Sequence, residues 1–237
     1  NSVAGGGSFL TLPALVFTCV FFVLANATGT VALLPGYMAG AWGFKDDMQS
    51  PPGLSMKQVI ALSLIGGSAG AALLLFTPDA TFRKVVPWLL LAATAMFAFG
   101  SQLRAWASGK NASNAAPNVT KATKAAIGML IVAVYGGYFN GGLGILLLAL
   151  FGLLGQTQLN AMNGMKNLVS ALLTAIAVAI YAVGGIVEWK QALIMMVAAT
   201  LGGYLGARVA RKIPAHILRW GIVATGLVMA GLFFAKG

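Results

Sequence analysis

Between Tyr135 and Lys166 the chain sets groups that handle anions inside otherwise continuous apolar sequence. A glycine-rich break, Tyr135-Gly-Gly-Tyr-Phe-Asn140-Gly-Gly-Leu-Gly144, precedes an apolar run and then Asn163-Gly-Met-Lys166. Glycines let backbones approach closely and accept positive φ. A helix starting after such a break aims unpaired N–H groups and the positive end of its dipole at the break, which makes an anion site. Lys166 adds a full charge in a segment that stays apolar as far as Ile186. A lysine inside a membrane segment costs about 2.5–3.5 kcal/mol on insertion scales and is read by default as functional. The competing reading is a side chain snorkelling to the nearby membrane surface. Asn163 and Asn167 stand one turn apart near the same face, placed to donate to the same ligand.

The first half carries a weaker echo. Gly5-Gly-Gly-Ser8-Phe9 leads into an apolar run and then Asn26-Ala-Thr28-Gly-Thr30. Two broken apolar segments at corresponding places in two halves point to a transporter's substrate site. The expected site lies between the two breaks, near the membrane midplane. Backbone N–H groups at Gly6, Gly7, Ser8 and Phe9 and from Gly142 to Gly144 would hold the anion. Asn26, Thr28, Asn140 and Asn163 would add side-chain contacts, and Lys166 the charge. The alternative for the glycines is tight helix packing, the role expected of Gly66-x-x-x-Gly70 and Gly202-x-x-x-Gly206.

Other chemistry is poorly provided for. The four acids, Asp46, Asp47, Asp79 and Glu188, fall at loops or segment ends, so no carboxylate stands within an apolar segment to relay protons or hold sodium. One histidine, His216, and one cysteine, Cys19, make no metal cluster, and neither a Walker motif nor a plausible catalytic triad is present. The expectation is a protein that is not an enzyme and carries no cofactor or metal.

These groups are positioned by apolar segments. The 237 residues are 59% hydrophobic and only 8% charged, against about 25% charged in soluble domains. Apolar stretches run past the ~20 residues that span a bilayer, and the ~10-residue alternation of a membrane barrel is missing. The fold class is an all-α polytopic membrane protein with short broken helices at the glycine motifs. Apolar segments run from Ser8 to about Leu24, Asn26 to Phe44, Met56 to Thr77, Thr81 to Leu103, Ala125 to Phe139, Leu143 to Leu154, Ala161 to Ile186, Gln191 to Val209 and His216 to Ala235. Pro35 and Gly36 predict a kink in the second.

Gly66, Gly67, Gly70, Ala71, Pro78 and Arg83 recur as Gly202, Gly203, Gly206, Ala207, Pro214 and Arg219, six identities at one shift of 136 residues. The division is therefore a first transmembrane repeat at 1–103, a polar linker at 104–124 and a second repeat at 125–237. The segment from Ala125 to Phe139 has no counterpart before Ser8, which predicts a further N-terminal helix missing from the first repeat. The net charge of +11 sits mostly in short loops, where it orients a membrane protein rather than binding nucleic acid. With the Arg208–Arg219 hairpin cytoplasmic, ten basic residues fall inside and four outside, with Lys166 left in the membrane. That places Pro78 outside and Pro214 inside, so the two repeats are expected to be inverted.

Asn1-Ser-Val-Ala-Gly-Gly-Gly-Ser-Phe-Leu-Thr-Leu-Pro13, the Asn26-Ala-Thr-Gly-Thr30 echo and Tyr138-Phe-Asn-Gly-Gly-Leu-Gly144 together resemble the TauE/SafE family of sulfite exporters, over essentially the whole chain. The resemblance implies bacterial inner-membrane transport of small sulfur-containing anions such as sulfite, sulfoacetate and other organosulfonates. The expected partners are that anion and the lipid bilayer, with a homo-oligomer allowed. A potential negative inside favours anion efflux by about 2.3 kcal/mol per charge per 100 mV, so export needs no coupling ion. Uptake of a sulfur oxyanion or other small organic anion is the alternative, and a non-transporting scaffold is a weaker one.

The charge count generates a test of orientation. A cysteine introduced at Ser113, in a background lacking Cys19, is expected to react in intact cells only with membrane-permeant reagents. Labelling by an impermeant reagent reverses the orientation.

Overall fold

The computed structural model describes residues 8–17, 21–109, 119–210 and 215–236. Within these, the side chains at 8–10, 13, 17, 96–97, 100–101, 103–109, 119–121, 203–210, 215–219, 222 and 235–236 are not described. The described residues form nine α-helices and no strand: α1 (Ser8–Phe17), α2 (Phe22–Gly43), α3 (Met56–Leu75), α4 (Asp79–Gly109), α5 (Val119–Tyr138), α6 (Leu143–Leu153), α7 (Leu159–Val183), α8 (Trp189–Ala210) and α9 (Ala215–Lys236). A short 3-10 turn, Lys45–Asp47, follows α2. Helices satisfy their own backbone groups, which is what a bilayer demands. Among the described helices, α2, α3 and α7 are long and apolar enough to cross a membrane. At 11 residues, α6 reaches only about 16 Å, roughly half a hydrocarbon core.

Local chemistry sets the helix ends. Ser55 and Gln58 make a capping box at the start of α3, with the Gln58 N–H donating to Ser55 Oγ (3.3 Å) and the Ser55 N–H donating to Gln58 Oε1 (2.8 Å). The start of α2 is capped from a distance, since the Val23 N–H donates to Asp79 Oδ1 at 2.9 Å. A carboxylate there satisfies an orphan donor and meets the positive end of the helix dipole. Helices α6 and α7 end alike. Gly155 (φ 92°) and Gly185 (φ 68°) take the left-handed conformation, while Gln156 and Ile186 donate N–H groups to the carbonyls of Phe151 and Tyr181. This is the Schellman arrangement, and it needs glycine at the left-handed position.

Two regions differ from the sequence reading, while Pro35, the expected kink position, lies inside the continuous helix α2. The first break comes before Phe22 rather than after Leu24, because the Asp79 cap starts α2 there; Asn26 thus lies in the second turn of α2. Helix α4 begins at Asp79 and continues to Gly109, and α5 begins at Val119, so helix extends into both ends of the polar 104–124 stretch.

Helices α2 and α7 pack antiparallel. Phe44 lies against Gly164, Gly40 against Asn167, and Leu33 and Tyr37 against Ala171. At the far end, the Glu188 N–H, just before α8, donates to Thr28 Oγ1 at 3.1 Å. Helix α3 sits between α5 and α7. A Cβ at Gly66 would lie 3.1 Å from the Leu130 carbonyl and one at Gly70 would overlap the Val134 carbonyl, so α3 and α5 touch backbone to backbone. Gly67 faces Leu173 and Ile176 of α7. One apolar core gathers Phe82, Phe139, Tyr181 and Phe233, and another Met129, Leu147, Phe151 and Met165.

The order of helices recurs. The first residues of α1 to α4, Ser8, Phe22, Met56 and Asp79, are matched by Leu143, Leu159, Trp189 and Ala215 of α6 to α9, at offsets of 135, 137, 133 and 136. Packing recurs with it: α1 on α2 has α6 on α7, α2 on α8 has α3 on α7, and α4 on α6 has α1 on α9. Among the described helices, α5 is the one without a counterpart. Gly202 accordingly differs from Gly66, which stands 136 residues earlier. It is exposed, and a Cβ added there would meet nothing within 4 Å. The close packing expected at Gly66 and Gly70 is present, whereas at Gly202 it is not. Gly206 lies outside the described side chains.

Gly70→Val should therefore separate α3 from α5 and cost about 1–3 kcal/mol or more by overpacking, read as a lowered Tm in detergent. Gly202→Ala should leave Tm unchanged.

Candidate functional site

The second glycine break is built by its neighbours. Between Tyr138 and Leu143 the chain leaves the helix, and Gly142 enters α6 with φ 73°. A residue with a side chain would be strained there, and a Cβ would press on Ala93 of α4 at 3.0 Å. Ending α5 releases carbonyls that a bilayer cannot hydrate. Three side chains answer them. Tyr181 Oη donates to the Gly137 carbonyl (2.6 Å), Asn26 Nδ2 to the Tyr138 carbonyl (3.1 Å) and Tyr135 Oη to the Gly141 carbonyl (2.6 Å). Asn140 faces inward, where its Oδ1 accepts from Tyr37 Oη (3.0 Å) and its Nδ2 donates to Thr174 Oγ1 (3.2 Å). The break thus binds α2, α5 and α7 together through carbonyl acceptors. The buried start of α6, with Gly144 in its first turn and no side-chain cap, is the positive end of a helix dipole, where the Leu143 N–H donates to the Asn140 carbonyl (3.4 Å) and the Ile145 N–H to that of Gly142 (3.0 Å).

Lys166 is the eighth residue of α7 and only 5% exposed. Its Nζ donates to Asn163 Oδ1 at 3.2 Å. Asn167, the next residue, is pressed against Gly40 of α2. Neither α2, α6 nor α7 carries an acid. Asp46 and Asp47 sit in the exposed 3-10 turn, Asp79 opens α4 and Glu188 precedes α8, so all four acids lie at element ends. Among the described residues no cluster of His, Cys, Asp or Glu is placed to hold a metal ion.

The residues singled out from sequence do not converge on one point. Gly6 and Gly7 lie outside the described residues, and Ser8 opens α1 with its side chain undescribed. Asn26 and Thr28 sit at the end of α2 near the close of α7, with their bonds to Tyr138 and Glu188. Asn140, Gly142 and Gly144 cluster at the level of Thr174. Asn163 and Lys166 lie near the start of α7. At 1.5 Å per residue, Lys166 is about 12 Å along the helix from Thr174 and about 25 Å from Val183. Asn140 with the start of α6, and Lys166 with Asn163, are therefore two stations along the α2–α7 seam. Asn26 and Thr28 belong to a third region beyond them.

Sequence reasoning passed over Tyr37, Tyr135, Thr174 and Tyr181, which fix the break. The signal for Thr174 was present, since Asn163, Lys166, Ser170 and Thr174 recur every three or four residues and so share one face of α7. The tyrosines had no local signal, because the carbonyls they serve are distant or belong to a loop.

The family description "Sulfite exporter TauE/SafE" matches residues 1–233. Among curated proteins, the chain is 26% identical over 242 residues to a probable membrane transporter protein of Haemophilus influenzae, covering 97% of this chain and 87% of that one. It is 24% identical over 231 residues to the probable membrane transporter protein YfcA of Escherichia coli K12, covering 97% and 82% respectively. No solved structure matches the chain significantly.

Tyr181→Phe keeps the ring and removes the donor to the Gly137 carbonyl. A buried acceptor left unpaired costs about 1–3 kcal/mol, so this variant should show a clearly lowered Tm in detergent. An unchanged Tm would mean the break is held without that hydroxyl.

Proposed function

The chain belongs to the sulfite exporter TauE/SafE family, a family of membrane transporters, and we propose that it exports a small sulfur oxyanion, sulfite or an organosulfonate, across the bacterial inner membrane. The observation that carries this reading is Lys166, a cation 5% exposed in a membrane helix, with its Nζ donating to Asn163 Oδ1. A buried ammonium attracts an anion more strongly than a hydrated one does. The start of α6 offers the second attraction, through the positive end of its dipole.

By the charge count, the Leu159 end of α7 faces the cytoplasm. The anion then meets Lys166 and Asn163 first and moves along the seam toward Asn140, Gly142 and Gly144. The membrane potential drives it outward, at about 2.3 kcal/mol per charge per 100 mV. The matched order and packing of α1–α4 and α6–α9 support a pair of inverted repeats about the α2–α7 contact. Rocking of one repeat against the other would open the seam to each side in turn. Asn26 and Thr28, the counterparts of the α7 asparagines, then line the outer end.

Reconstituted protein should carry labelled sulfite or sulfoacetate down an imposed potential, with flux reversing when the potential reverses. Flux only against the potential, dependent on a proton or sodium gradient, would favour uptake; no flux of any of these anions would remove the reading. Lys166→Ala should weaken anion binding at least tenfold, and Lys166→Arg should retain part of it, keeping charge but not shape. Parent-like binding in Lys166→Ala would leave the glycine break to make the site alone.

A further inference from the structure

Resting on the anion-transport reading above, we propose that the Ser170 hydroxyl contacts the permeating oxyanion directly, as the station between Lys166 and the Asn140 cluster. Ser170 stands one turn from Lys166 and one turn from Thr174, so the three share a face of α7. It is 1% exposed, yet its Oγ has no hydrogen-bond partner. Serines and threonines in helices commonly return their hydroxyl to the carbonyl four residues back. Here Ser63 donates to Val59 (2.6 Å), Thr30 to Asn26 (2.7 Å) and Thr77 to Leu73 (2.6 Å). Ser170 makes no such bond to Lys166, and Thr174 is engaged by Asn140.

A buried hydroxyl without a partner is destabilising, so its presence calls for a group that binds it in the working protein. The position says which group. Between Asn167 and Thr174, Ser170 is the only polar residue on α7, and each step to Lys166 and to Thr174 is about 6 Å along the axis. A pyramidal or tetrahedral sulfur oxyanion has three oxygens to share. It can accept from Lys166 through one and from the Ser170 O–H through another before passing toward Asn140. Helix α2 covers the same stretch through Gly40, Tyr37 and Leu33, the last two against Ala171.

Removing an unsatisfied hydroxyl from dry packing and removing a ligand contact have opposite signatures. Ser170→Ala should keep or raise Tm in detergent while sulfite flux in proteoliposomes falls fivefold or more. Parent-like flux in Ser170→Ala would overturn the assignment. As a second measure, Ser170→Cys in a Cys19→Ala background should react with a negatively charged sulfonate methanethiosulfonate reagent. Sulfate or sulfoacetate, which do not consume the reagent, should slow that labelling. No labelling from either face, or labelling that neither anion slows, would also overturn it. The two readings fail separately. A parent that moves no sulfur oxyanion sinks the transport reading, whereas a transporting parent with indifferent Ser170 variants removes Ser170 alone.

Discussion

A bilayer core supplies no water to a backbone carbonyl, so every carbonyl released where α5 stops must be satisfied by the protein itself. The rest of the arrangement depends on that constraint. Tyr181, Asn26 and Tyr135 answer the carbonyls of Gly137, Tyr138 and Gly141, and in doing so tie α7, α2 and α5 to one point. At the other side of the break, the start of α6 carries the positive end of its dipole, with the Leu143 N–H donating to the Asn140 carbonyl and the Ile145 N–H to that of Gly142. A short helix can then begin partway through the membrane with these acceptors satisfied, and its buried first turn lies at the positive end of a dipole. The Gly142 conformation, closed over by Ala93, sets the direction in which that turn points.

Charge is placed with similar restraint. Asp79, one of only four acids, stands on the first turn of α2, where a carboxylate meets a helix N-terminus. None is left on the helices that flank the seam. Lys166 is held by Asn163, and the 3-10 turn that carries Asp46 and Asp47 packs against the same helix.

Antiparallel packing of α2 and α7 explains why the motif residues spread rather than converge. Their contacts pair Phe44 with Gly164, Gly40 with Asn167 and Tyr37 with Ala171, so the seam centres near the middle of both helices. Residues that begin each helix necessarily lie at opposite ends. Asn26 and Asn163, alike in sequence position, are separated by most of a membrane thickness. The middle belongs instead to Tyr37, Asn140 and Thr174. In the proposed transport cycle, like groups at both ends and a neutral hydrogen-bonding waist suit a path that must bind and release the same anion on each side.

The amino-acid sequence alone determined the class of the protein and much of its layout. Long apolar runs with almost no charge require helices in a membrane, and the 136-residue recurrence from Gly66 to Arg219 is the sequence ground for expecting two repeats. The glycine break at 137–142, the short α6 and the cost of placing Lys166 in an apolar segment were legible too, because each is a local property of residue type and spacing. What only the tertiary structure decided was partnership. Asp79 caps the α2 start through Val23, 56 residues before it, and Asn26 serves a carbonyl 112 residues away. Gly66 is packed while Gly202 is open, although the two are alike in sequence. Those outcomes depend on which surface another helix covers. A repeated local signal cannot encode that, because the same glycine face is buried beside α5 in one half and has no such neighbour among the described helices of the other.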